Sequence, residues 1–118
     1  MSGERSQRTP LDVLNYEIVE EQAAALGRMG RALDAALTKL RDFDATHPRA
    51  DAPEADQQTR RRLVREAGHA LWMFVVQREA CGLRDSRVIM LDYKVPPEVQ
   101  CCVGAPPVTR PMRRPPRR

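Results

Sequence analysis

The chain has no long apolar run. Its longest, residues 70–76, is seven residues, against the about 20 that a membrane-spanning helix needs. The opening MSGERSQRTP carries no apolar stretch either, so no secretory signal is expected. Aromatic side chains are scarce: Trp72, Phe43, Phe74, Tyr16 and Tyr93 make up the set. A chain of 118 residues is one domain at most, and so few large side chains give it a thin core.

Cysteine is sparse and poorly placed for metal. Cys81, Cys101 and Cys102 form no Cys-x-x-Cys, and adjacent cysteines lack the spacing of two to four residues that structural zinc uses. His69 and Cys81 are 12 residues apart, about 18 Å along one helix. An odd number of thiols fits a reduced, cytoplasmic protein. There is no phosphate-binding glycine loop, no dinucleotide fingerprint and no evident nucleophile–histidine arrangement. A non-enzyme without a cofactor is expected.

Charge is present but unevenly placed. Residues 105–118 hold Arg110, Arg113, Arg114, Arg117 and Arg118 and no acid, whereas the other 104 residues hold 15 basic and 16 acidic side chains. The pI near 9.4 thus belongs to the tail, and the folded body is not a basic nucleic-acid surface. Such a tail attracts any polyanion, whether nucleic acid or an acidic protein. With five prolines it cannot pack and reads as disordered or polyproline-like.

Two helical patterns dominate. Thr9-Pro10 is a start signal, with Thr as N-cap and Pro at the first helical position. Leu11, Leu14, Ile18, Ala25, Met29, Leu33, Ala36, Leu40 and Phe43 then recur at helical spacing, predicting a helix over residues 11–44. Gly27 and Gly30 interrupt it, either as surface glycines or as points of close approach. Residues 46–53 hold two prolines and read as a loop. A second helix over residues 53–81 follows, with the stripe Leu63, Ala67, Leu71, Phe74 and Cys81, and a Gly82-Leu83 stop. In an antiparallel hairpin Asp42 and Asp44 should face Arg60, Arg61 and Arg62.

Residues 70–76, Ala-Leu-Trp-Met-Phe-Val-Val, are apolar all the way round a helix, so more than one side needs cover. The C-terminal third of the chain and a second subunit are both expected there. The residues expected to carry assembly are Leu71, Trp72, Phe74 and Val75. Residues 86–95 read as a short helix capped by Asp85 or Ser86, or as an extended strand in which Ile89, Leu91, Tyr93 and Val95 alternate. One more short helix is expected over residues 97–103.

Gln77-Arg78-Glu79-Ala80-Cys81-Gly82-Leu83-Arg84-Asp85, followed by Tyr93-Lys94-Val95-Pro96-Pro97-Glu98-Val99, resembles a family of small uncharacterised bacterial proteins over residues 11–104. The resemblance implies no activity and no functional residue.

The expected architecture is all-α: a disordered leader (1–9), a helical domain (10–104) built on a long antiparallel two-helix hairpin, and a disordered basic tail (105–118). The expected role is a non-enzymatic oligomeric interaction, scaffold or regulatory protein, a homodimer or higher, whose dimer forms a four-helix bundle, with no membrane contact. The alternative is nucleic-acid binding through Arg110, Arg113, Arg114, Arg117 and Arg118, with residues 77–93 threaded as helix-turn-helix and Val88 and Leu91 pinning its second helix. A third reading takes Glu66-x-x-His69 as half of a ferritin-like carboxylate site completed across a dimer, with Asp34 opposite residue 66 as the extra carboxylate.

Overall fold

The computed structural model describes residues 9–102. Residues 1–8 of the expected leader, the expected basic tail with Arg110, Arg113, Arg114, Arg117 and Arg118, and residues 103–104 of the expected helical domain lie outside them. The described residues are all-α, with no strand: α1 (Pro10–Thr46), α2 (Glu54–Ala80), α3 (Arg87–Asp92) and α4 (Pro97–Gln100).

α1 starts where the sequence chemistry places it. The Thr9 hydroxyl accepts from the Asp12 backbone N–H at 3.0 Å, and the Asp12 carboxylate accepts from the Thr9 N–H at 3.3 Å. This reciprocal capping box satisfies donors that the first turn leaves open. α2 stops at Gly82, whose φ of +89° suits glycine. The Leu83 and Gly82 N–H groups donate back to the carbonyls of Arg78 and Glu79 at 2.8 and 3.0 Å, the paired bonds of a Schellman cap.

The two long helices pack antiparallel. Phe74 lies against Gly30, Lys39 against Glu66 and Asp44 against Arg60. Carried on, this register sets Ala80 level with Ala24. α1, at 37 residues, is about 55 Å long, and α2, at 27, about 40 Å. Residues 10–23 of α1 therefore run about 20 Å past the end of α2.

The core fills the shared length. Leu33, Leu37 and Leu40 of α1 meet Leu63, Ala67, Leu71 and Phe74 of α2, and Ile89, Val95 and Val99 of the C-terminal segment close over them. Leu37 belongs to this core although the expected stripe omitted it. The segment over 86–95 is helical, not extended. Its N-terminal turn is held by the Asp85 carboxylate, which accepts from the Arg87 N–H at 3.1 Å. The last short helix spans Pro97–Gln100, shorter than the expected 97–103. Its Val99 is fully buried and Cys102 presses on Gly68 of α2.

Candidate functional site

At the loop end polar groups finish the structure. Arg60 donates through Nε and Nη2 to both Asp44 oxygens at 2.7 and 3.0 Å, and through Nη1 and Nη2 to both Glu98 oxygens at 2.9 and 2.6 Å. One planar guanidinium thus ties α1, α2 and α4 together with four charge-assisted bonds. Hydrogen bonding to Arg60 holds the Asp44 and Glu98 carboxyls below their usual range, and the two carboxylates push the Arg60 pKa up. The expected charge matching is met by Asp44 and Arg60, while Arg61 pairs with Glu54 and Arg62 with Glu66. Glu98 was not foreseen, and no local signal marked it.

A cleft of about 380 Å³ beside this junction is lined among others by Phe43, His47, Arg49, Asp56, Arg60 and Arg61. His47 stacks on Phe43 with ring centroids 4.0 Å apart. The cleft's cations are partly committed, Arg60 to two carboxylates and Arg61 to Glu54, so its geometry favours no ligand.

The expected metal half-site is differently employed. Glu66 is held by Lys39 at 3.4 Å and by Arg62 at 3.5 Å. Asp34 does not face it: Lys39 does, one helical turn further along α1, and Asp34 lies in a cleft with Leu26, Gly30 and Tyr93. His69 has its ring 6.0 Å from Trp72. Among the described residues no group of three His, Cys, Asp or Glu side chains converges.

The helix-turn-helix threading is overturned by which residues are buried. Ile89 is 2% exposed and Val88 and Leu91 are 44% and 77% exposed. The intended pins face outward and the core takes Ile89, because Tyr93 must reach back to Phe74, where their rings meet edge-on at 5.7 Å. A helix of six residues is also only about 9 Å long.

What remains is apolar surface, concentrated at one end. Among the described residues the exposed large hydrophobics are Leu11, Val13, Leu14, Tyr16, Ile18 and Val19 on the α1 overhang, with Met73, Val76, Leu83, Val88 and Leu91 at the end of α2 and just after it. None falls between residues 20 and 72. Of the four assembly residues expected from sequence, Leu71 and Phe74 are buried in the hairpin core, and Trp72 and Val75 are half-buried. The apolar girdle over 70–76 is thus covered on its core side and open at Met73 and Val76. The overhang was missed as a site, although the signal was present. The expected first helix is longer than the second, so an antiparallel pair must leave one end unmatched.

Solvation of this end is costly. Each such side chain forgoes part of the about 1.5–3 kcal/mol that full burial gives, and exposed apolar side chains gathered in one region mark an interaction surface. The overhang's charge is one-sided: residues 9–27 include Asp12, Glu17, Glu20 and Glu21 and no base. At its root Arg28 pairs with Glu21 at 3.3 Å. Across the hairpin, Arg78 keeps its Nε buried without a hydrogen-bond partner.

Among the described residues no helix is long and apolar enough to cross a membrane. No curated protein and no solved structure matches the chain. A family model matches residues 7–111, the hairpin and its C-terminal cover included, and the chain belongs to that family of unknown function, DUF6665.

Proposed function

We propose that the protein works without catalysis, as an interaction module that self-associates through its open end. The observation that carries this reading is the confinement of every exposed large hydrophobic of the described residues to residues 11–19 and 73–91. The buried half of the hairpin folds the chain, and the open half holds the surface another molecule covers. Light scattering across a concentration series tests it. A dimer or larger assembly at micromolar concentration, lost in Leu14→Glu with helicity retained, is the expected result. A monomer throughout rejects it.

A second reading rests on the tail. Five arginines without an acid over residues 105–118 supply a polyanion contact that releases counterions and so weakens steeply with salt. Fluorescence anisotropy with duplex DNA at two salt concentrations, comparing the full chain with one ending at Gly104, measures it. Binding that survives truncation would place the contact in the folded body instead.

A further inference from the structure

We infer that the α1 overhang is covered by the same overhang of a second copy, running antiparallel to it, in the position α2 would occupy if it were longer. The inference rests on the self-association reading above and adds which surfaces meet and in which direction.

The first support is continuity with an existing interface. Leu11, Leu14 and Ile18 belong to the same helical stripe as Leu33 and Leu40, and the latter are buried against α2. The stripe does not end where α2 ends. On a straight helix Leu11, Ile18 and Val19 lie within about 70° of the face that Leu33, Leu37 and Leu40 bury against α2, with Leu14 about 100° to its side. The shape that completes that face is therefore another helix packed along the axial extension of α2.

The second support is length. The overhang is about 20 Å long, and an antiparallel copy of it spans the same distance. Each overhang then lies along the other and its tip reaches the partner's α2 terminus. The arrangement closes on itself with two-fold symmetry and leaves no open edge.

The third support is what waits at the end of α2. The incoming tip brings Leu11 to the end of the partner's α2, beside the exposed Val76 and Leu83. It also brings Asp12 towards a shoulder carrying Arg78 and Arg84, where Arg87 is already held by Asp85. The remaining acids need not oppose one another. Glu20 falls on the side of α1 away from the stripe, Glu17 lies about a quarter turn from it, and Glu21 is already held by Arg28.

Spin-label distances on the full chain test the geometry, with Cys81, Cys101 and Cys102 replaced by Ser and one label at a time at Glu17→Cys, Ala24→Cys, Ala35→Cys or Met73→Cys. An antiparallel pair crossing near residue 17 gives its shortest distance at Glu17→Cys, about 20 Å or less. The distance then grows by about 3 Å per residue, twice the helical rise, to about 55 Å at Ala35→Cys. In the same background Ile18→Asp should raise the dissociation constant at least tenfold while circular dichroism shows the hairpin intact. A dimer whose shortest distance lies at Met73→Cys, or whose distances do not rise with distance from residue 17, overturns this docking and leaves self-association standing. A monomer at about 100 μM overturns both.

Discussion

At the loop end α1 and α2 stand side by side, α4 closes the groove between them, and Arg60 locks the three. At the other end α1 runs on alone, with Leu11, Leu14 and Ile18 in water. Both ends are written in the same pattern of apolar residues at helical spacing. They differ only in whether the chain supplies a neighbour. Helical periodicity therefore records what a helix is built to pack against, whether that partner is in the same chain or not. A thin two-helix core with a third layer over half its length is complete for folding and incomplete for burial.

The largest contrast between the ends is in core truncation. Leu37 is 1% exposed, and Leu37→Ala should cost about 2–5 kcal/mol in urea unfolding, from lost transfer energy and the cavity left behind. Leu14→Ala, at 51% exposed, should change the stability of the monomer by less than about 0.5 kcal/mol. Its effect belongs to association and grows with protein concentration. Equal losses from the two at low concentration would break the distinction. Trp72→Ala falls between them, because the ring is half-buried in the monomer.

The polar lock at the loop end gives the next effect. Arg60→Ala removes four charge-assisted bonds and leaves Asp44 and Glu98 facing each other, at a cost of about 2 kcal/mol. The sign with pH follows from the two carboxyls. Hydrogen bonding to Arg60 depresses both in the folded state, so their contribution is full above the ordinary carboxylate value of about 4 and is lost as pH falls through the lower folded values. Acid should therefore loosen α4 from the hairpin before α1 and α2 part. Hydrogen exchange between pH 6 and pH 3 checks this, and the Val99 and Cys101 amides should lose protection first. Arg60→Ala should flatten that pH dependence.

The parts of this architecture legible in the sequence are those set by local chemistry. Thr9-Pro10 starts a helix and Gly82-Leu83 stops one because the cap needs only neighbours in the chain. Asp44 facing Arg60 was legible too, since an antiparallel hairpin forces some such pairing. The finer register was not. Placing the turn midway along the loop sets residue 34 opposite 66, whereas Lys39 is there. The loop, with Asp51 at φ 56°, carries the chain about one helical turn beyond α1 before α2 begins. The face of α3 was illegible for a different reason. Over six residues a helical pattern has no phase of its own, and the choice of Ile89 over Val88 and Leu91 was made by Tyr93 and Val95 settling on the hairpin. The overhang could be read from helix lengths, but its exposure depends on where α2 ends in register.

The close approach of α4 tests the sealed side at one point. A Cβ on Gly68 would collide with Cys102 Cβ, which cannot swing aside as a long side chain does. Gly68→Ala should lose about 1–2 kcal/mol, the strain of overpacking outweighing the helix propensity gained. It should also free the Cys102 thiol for alkylation at an increased rate. An unchanged rate would mean that α4 does not sit on Gly68 in solution.

The smallest effect lies where the two halves meet, in a pair of glycines one turn apart. At Gly30 an added Cβ would stand 2.7 Å from the Tyr93 hydroxyl and 3.4 Å from the Phe74 ring, so the tyrosine that anchors α3 must shift. At Gly27 the nearest atom is the tip of the flexible Arg31 side chain, at 3.3 Å, and it can move away at little cost. Gly27→Ala should therefore stabilise α1 by up to about 1 kcal/mol through helix propensity alone. Gly30→Ala should forfeit that gain or reverse it. The sign change marks where Tyr93 rests on α1. If both substitutions stabilise equally in thermal melts, Tyr93 does not rest on Gly30, and the covered half ends nearer the loop.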